Sequence, residues 1–150
     1  MAEFRITDEV DDAAVAELRE RVISYNLAAT GLPNGRSMGC VVRDADRQLI
    51  AGVDGFSWGG CVRIEWLWVR DDRRRHGLGT QLVRAVEAEA VRRDCVVVRV
   101  DSHTFQAPGF YEKLGYERIG FAAGTPIGHG EVFFLKQLFV DGHRPGVSTD

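Results

Sequence analysis

Leu67-Trp68-Val69-Arg70-Asp71-Asp72-Arg73-Arg74-Arg75-His76-Gly77-Leu78-Gly79-Thr80 is the stretch whose reading decides the fold. An apolar, strand-like segment ends at Val69, and Arg70, Arg73, Arg74 and Arg75 follow at once. Gly77 and Gly79 then lead into Leu78, Leu82, Val86 and Ala90, which recur at helical spacing. Strand, basic turn, glycines and helix in that order build an anion cradle. Glycines let several N–H groups converge on one point. The helix start adds unpaired N–H groups and the positive end of its dipole. The ligand this predicts is a phosphate or pyrophosphate.

Two common phosphate loops are excluded. A P-loop needs Lys-Ser/Thr after its last glycine, and no Lys stands near Gly77 or Gly79. A dinucleotide fingerprint needs a third glycine where Leu82 stands. What fits is Arg-x-x-Gly-x-Gly, read at Arg74, Gly77 and Gly79 after a Val-ended strand. Downstream, Val96 to Val100 is a β-branched run that reads as a buried parallel strand. It is followed by Ala107-x-x-Phe110-Tyr111-Glu112-Lys113-Leu114-Gly115-Tyr116.

Together these two motifs resemble the GNAT superfamily of acyl-CoA-dependent N-acyltransferases, over roughly residues 37 to 138. The resemblance implies an α+β fold with a central mixed, mostly antiparallel sheet. That sheet is splayed between its fourth and fifth strands and flanked by helices. Acetyl-CoA is the implied co-substrate, with its pyrophosphate in the loop of Arg74, Arg75, His76, Gly77, Leu78, Gly79 and Thr80. The backbone of Leu67, Trp68 and Val69 is expected along the pantetheine arm, where one N–H can polarise the thioester carbonyl. Ala107, Phe110 and Tyr111 open the helix beside the CoA sulfur, and Tyr111 is the implied acid for it. Thr104 stands where many members have Asn, seven residues before that tyrosine.

The general base is sought among residues of the acceptor side. Glu65 is the carboxylate inside the fourth strand, two residues before Leu67 and so expected on its face. Flanked by Trp66 and Trp68, it is expected to be partly desolvated, which raises a carboxyl pKa. His129 lies in the turn-rich Pro126-Ile127-Gly128-His129-Gly130 loop. A subset of the GNAT superfamily is similar here, joining a Phe-Gln-Ala…Phe-Tyr helix to a Pro-x-Gly-His loop. His103 and Gln106 are expected to line the same cavity. Trp58, Trp66 and Trp68 read as core, as a homodimer interface or as the wall of an acceptor pocket.

Composition is consistent with this. The chain has 150 residues, 45% hydrophobic and 27% charged, which suits one globular domain. Residues 1–139 are read as that domain and 140–150, with Gly142, Pro145 and Gly146, as a frayed tail. A formal net charge of −3 makes the arginine cluster local and argues against a nucleic-acid binder. No apolar run approaches the roughly 18 residues of a transmembrane helix, so no membrane partner is expected. Met1 to Arg5 lacks a signal-peptide layout. Cys40, Cys61 and Cys95 are odd in number and widely spaced, which reads as free thiols in a reducing cytoplasm. No His/Cys/Asp grouping has ligand spacing, so no metal is expected.

The remaining elements follow from local pattern. Phe4 to Ile6 reads as a first strand, Thr7 and Asp8 as turn or capping residues, and about Asp12 to Ala29 as a helix. Strands are expected at Met38–Arg43, Leu49–Trp58, Cys61–Arg70, Tyr116–Ala122 and Glu131–Leu138. The expected activity is acetyl transfer from acetyl-CoA to an amine-bearing small molecule or peptide. The alternative is a CoA-binding sensor or partner-binding module without turnover.

Overall fold

A computed structural model describes residues 6–33 and 35–138, in a helical unit before residue 35 and a sheet unit after it. The expected first strand at Phe4 and Arg5, and the expected tail, lie outside the described residues. In the helical unit, α1 spans Asp12–Thr30. Its cap is Asp11 rather than Thr7 or Asp8. The Asp11 carboxylate accepts from the N–H of Ala13 at 2.9 Å, satisfying a donor that the first turn leaves free. Gly31 ends the helix in the left-handed region and donates to the Leu27 carbonyl at 2.8 Å. No described helix is long and apolar enough to cross a membrane.

The sheet unit runs β1 (Arg36–Arg43), β2 (Leu49–Trp58), β3 (Cys61–Val69), α2 (Leu78–Arg92), β4 (Val97–His103), α3 (Pro108–Lys113), β5 (Glu117–Ala123) and β6 (Gly130–Gln137). The strands order as β1-β2-β3-β4-β6-β5 in one six-stranded sheet. Neighbours are antiparallel except β3 and β4, which are parallel and correspond to the expected fourth and fifth strands. That parallel pairing covers only Cys61↔Val97, Val62↔Val98 and Arg63↔Arg99. Beyond it the two strands part, and this is the expected splay. β4 is therefore not buried on both faces. Val98, Val100 and Ser102 are buried, while Arg99, Asp101 and His103 alternate onto the other face.

One core fills the face that carries α2. Leu82, Val83, Val86 and Ala90 of α2 are buried in the same cluster as Val62 and Ile64 of β3, Val98 of β4 and Phe134 of β6. Glu87 on that helix face is buried too, and it is paired. It accepts from Lys136 Nζ at 2.9 Å and Arg84 Nη1 at 2.7 Å, and Lys136 also donates to the Leu114 carbonyl at 2.7 Å. An unpaired carboxylate there would be costly, so the network ties α2 to β6 and to the end of α3.

β3 carries the irregularity that shapes its outer half. Asp54 pairs with Trp66 and Gly55 with Ile64, so Glu65 has no residue opposite it. The bulge shifts the alternation by one residue. Val62 and Ile64 face the core before it, and Leu67 and Val69 pack on the core after it. Gly55 is needed at this point, because a Cβ there would run into the backbone carbonyl of Arg63.

Candidate acyl-transfer site

The cradle forms where β3 hands over to α2. A short 3-10 turn at Asp71–Arg73 follows the strand, and Arg75 and Gly77 then take left-handed φ values of 63° and 82°. The backbone conformation rather than space favours glycine at 77, since a Cβ there would make only an ordinary contact with Gln81 Nε2 at 3.8 Å. The N–H groups of residues 75 to 80 donate to no acceptor among the described residues, and the next, Gln81 N–H, bonds to Gly77 O at 2.9 Å. The start of α2 thus presents consecutive free donors at its positive end, the arrangement an anion needs. Gly79 serves another purpose than the expected turn. It lies in the first turn of α2, and a Cβ on it would come within 3.3 Å of the Phe110 ring, so its absence lets α3 pack on that turn.

The arginines are not equivalent. Arg70 is held by both Asp72 oxygens, at 2.7 and 3.0 Å, and by Asp44 at 3.1 Å. Those contacts hold the Asp72 and Asp44 carboxyls below their ordinary range, with the Gln48 N–H the leading cause at Asp44. Arg74 pairs with Asp71 at 2.7 Å and donates to the Val69 carbonyl at 3.0 Å, and Arg73 reaches Asp72 at 3.6 Å. The charge of these arginines is therefore largely compensated by three aspartates, Asp44, Asp71 and Asp72. Among the described residues Arg75 forms no ion pair, and with His76 it is exposed beside the free N–H groups.

Tyr111 sits on α3 with its ring buried, 6% exposed, edge-on to Phe110 at 5.1 Å and to Tyr116 at 5.7 Å. Burial pushes its phenol up to about 12, helped by the nearby Asp101 carboxylate. At neutral pH the hydroxyl therefore keeps its proton and can only act as a donor to an incoming anion. Ala107 is the N-cap residue of α3. Thr104 is spent on structure: its N–H donates to Gly130 O at 2.8 Å and its hydroxyl accepts from Gly130 N–H at 3.2 Å, joining the end of β4 to the start of β6.

The expectation for Glu65 changes. As the unpaired residue of the bulge it is exposed, so it is not the desolvated carboxylate read from strand alternation. The same shift turns Trp66 and Trp68 away from the core, 74% and 45% exposed, while Trp58 is half-buried. Leu67 and Val69 pack on the core as partly buried side chains. Past Arg63 the edge of β3 facing β4 has no strand partner, which leaves its backbone groups open where the strands diverge.

A second set of side chains lies across that gap. Asp101 and His103 of β4 share a face with Arg63 of β3 and Glu131 of β6, the cross-strand partner of His103. Arg63 is 3.7 Å from Asp101. The Asp101 carboxyl beside it raises the Glu131 carboxyl, because two carboxylates sharing a site cannot both ionise freely. A groove of about 320 Å³ runs over this face, lined by Arg63, Arg99, Asp101, Ile119 and Phe133. The loop before β6 joins in: His103 Nδ1 lies 3.1 Å from Thr125 O, and Phe105 stacks on His103 and meets His129 edge-on. Asp101 and Glu131 had no role in the sequence reading. The signal available for Asp101 was the Arg99-x-Asp101-x-His103 alternation inside a β-branched run.

Comparison with known proteins agrees with this architecture. Residues 5–116 match the acetyltransferase (GNAT) family. The chain is 28% identical over 137 residues to acetyltransferase Atu2258 of Agrobacterium fabrum, covering 91% of this chain and 98% of that one. It is 32% identical over 120 residues to the S-(2-succino)cysteine N-acetyltransferase of Bacillus subtilis, covering 71% of each. The crystal structure of an acetyltransferase from Bacillus cereus superposes with a TM-score of 0.78 at 29% identity, over 89% of this chain and 98% of that one.

Proposed function

The chain belongs to the acetyltransferase (GNAT) family and is an acyltransferase, and from that premise we propose that it moves an acetyl group from acetyl-CoA to a primary amine of a small molecule or peptide. The observation that carries the reading is the run of free N–H groups at residues 75 to 80, set beside an open strand edge and a protonated buried phenol. The CoA pyrophosphate takes those N–H groups, with Arg75 and His76 beside it. The pantetheine arm follows the open edge at Leu67, Trp68 and Val69 into the gap between β3 and β4, passing Gly79, Phe110 and Ala107. One N–H of β3 polarises the thioester carbonyl, and the Tyr111 hydroxyl protonates or hydrogen-bonds the leaving sulfur.

The acceptor enters from the side of Asp101, Glu131 and the 124–129 loop. Carboxylates there favour an amine that is cationic in solution over an acidic acceptor. Glu65 and His129 belong to this side, the first as an exposed carboxylate at the bulge and the second as a loop imidazole against Phe105. The Bacillus relative is named for S-(2-succino)cysteine, an amino acid rich in carboxylates, and the Asp101 and Glu131 carboxyls here favour a more cationic amine than that. Exposed Trp66 and Trp68 suit the second copy of a homodimer, and free thiols at Cys40, Cys61 and Cys95 suit the cytoplasm.

The test is a panel of amines, including S-substituted cysteines, polyamines and peptide N-termini, incubated with acetyl-CoA while released CoA thiol is followed. Amine-dependent thiol release with an N-acetylated product by mass is the expected outcome. Tight acetyl-CoA binding without release for any amine would favour the sensor alternative.

A further inference from the structure

Within the acetyl transfer proposed above, on which this step rests, we infer that His103 is the catalytic base, its Nε2 taking the proton that the attacking amine nitrogen sheds. Three observations converge on it. The first is tautomer. His103 Nδ1 lies 3.1 Å from the Thr125 carbonyl oxygen, which can only accept. Nδ1 therefore carries the hydrogen, and the lone pair of the neutral ring is left on Nε2, engaged by no described residue.

The second is restraint. The ring stacks on Phe105 with centroids 5.2 Å apart and planes 9° from parallel, and Phe105 is braced edge-on by His129 at 4.9 Å. The backbone is held as well: His103 N–H donates to Gln106 Oε1 at 2.9 Å, and Gln106 N–H to His103 O at 2.9 Å. A base that must meet its proton within hydrogen-bond reach gains from such fixed orientation. Glu65 stands exposed in a bulge with no described partner to aim it, and the His129 ring has a hydrophobic neighbour but no hydrogen bond among the described residues.

The third is position. The last paired residues of the parallel strands are Arg63 and Arg99. His103 and Leu67 each lie four residues past the last pair, Leu67 with the Glu65 bulge in between, so both stand beyond the parallel pairing on the two strands that bound the gap. The charges facing it are Glu131 across the strand pair, Asp101 on its own face, Arg63 paired to Asp101, and His129 beyond Phe105. The free amine attacks the thioester carbon. The C–N bond forms as the C–S bond breaks, the nitrogen's proton goes to His103 Nε2, and the sulfur takes a proton from Tyr111. Solvent then removes the first proton and restores the second, so the sum is amine plus acetyl-CoA giving amide plus CoA.

His103→Asn tests the assignment, because an Asn side-chain N–H can keep the Thr125 contact while offering no base. Its kcat should fall about a hundredfold or more, with acetyl-CoA affinity unchanged and the acidic limb of the kcat/KM profile reduced to the part set by the amine itself. Free imidazole should partly restore His103→Ala. Parent-like rate and pH profile in His103→Asn, or reduction of the acidic limb to the amine's own part in Glu65→Gln or His129→Ala instead, would overturn it. Nitrogen-15 spectra of the neutral parent should show the His103 Nδ1–H tautomer, and an Nε2–H tautomer overturns the assignment without any turnover. A parent that acetylates no amine would defeat the acyl-transfer reading, while the tautomer still decides whether the lone pair is where this role needs it.

Discussion

The two sides of the gap between β3 and β4 are built from different materials. The cradle at residues 70–80 is one continuous stretch whose binding groups are mostly main-chain N–H donors. The proposed acceptor side is assembled from side chains of β3, β4, β6 and the loop between β5 and β6. Backbone donors need only the right φ values and a helix start, so a short sequence pattern suffices to specify them. Side chains from four segments need a sheet to bring them together. The cradle can therefore serve one constant ligand, while the acceptor side can change residue by residue without disturbing it.

The sharpest way to break that comparison is at the border between the two. Tyr111→Phe removes one hydroxyl and leaves the packing with Phe110 and Tyr116. Turnover should fall by about tenfold to a thousandfold while calorimetric acetyl-CoA affinity stays near the parent value. Because the phenol is pushed up to about 12, the parent rate should show no alkaline decline from Tyr111 at ordinary assay pH. Unchanged turnover, with chemistry shown to limit the rate, would leave Tyr111 as a core residue only.

Next in size is Gly77→Val. A β-branched residue at φ 82° is strained by about 1–2 kcal/mol, and the loop must shift to relieve it. Acetyl-CoA affinity should drop roughly tenfold, the equivalent of about 1.4 kcal/mol, while the acceptor KM at saturating acetyl-CoA moves little. Parent-like affinity in a folded Gly77→Val protein would remove the cradle from residues 75–80.

The arginines sharpen the comparison further. Arg75→Ala should weaken CoA about threefold and flatten the salt dependence of binding, since Arg75 forms no ion pair among the described residues. Arg70→Ala should act mainly on stability, because its charge is already committed to Asp72 and Asp44. A larger affinity loss in Arg70→Ala than in Arg75→Ala, at matched fractions folded, would reverse their roles.

The smallest effect concerns Asp44. Its carboxyl is lowered in the folded chain by the Gln48 N–H and by Arg70. A lowered folded value contributes stability above the unfolded pKa, about 3.9, and loses it as pH falls through the folded value. Asp44→Asn should thus reduce the melting temperature slightly at pH 7, and the gap should close below about pH 4. A gap that persists at pH 2 would assign the loss to packing rather than charge.

Much of this protein was legible in order of residues alone. Arg74-x-x-Gly77-x-Gly79 after a strand, followed by Phe110-Tyr111, led to the family and to the parallel pair at β3 and β4. The boundaries Leu49–Trp58 and Asp12 onward followed from residue pattern, while the cap of α1 proved to be Asp11. These features are local, since helical spacing, turn glycines and β-branched runs act on neighbours a few residues away. Other features required the sheet. The bulge at Glu65 arises from the register of β3 against Gly55 of β2, and it alone decides that Leu67 faces inward and Trp66 outward. Whether an arginine is free or cancelled depends on Asp44, far away in the chain. His103 becomes a candidate base only because the β5–β6 hairpin carries Thr125 O to its ring. Long-range pairing sets such contacts, and alternation along a single strand carries no record of which neighbour it will meet.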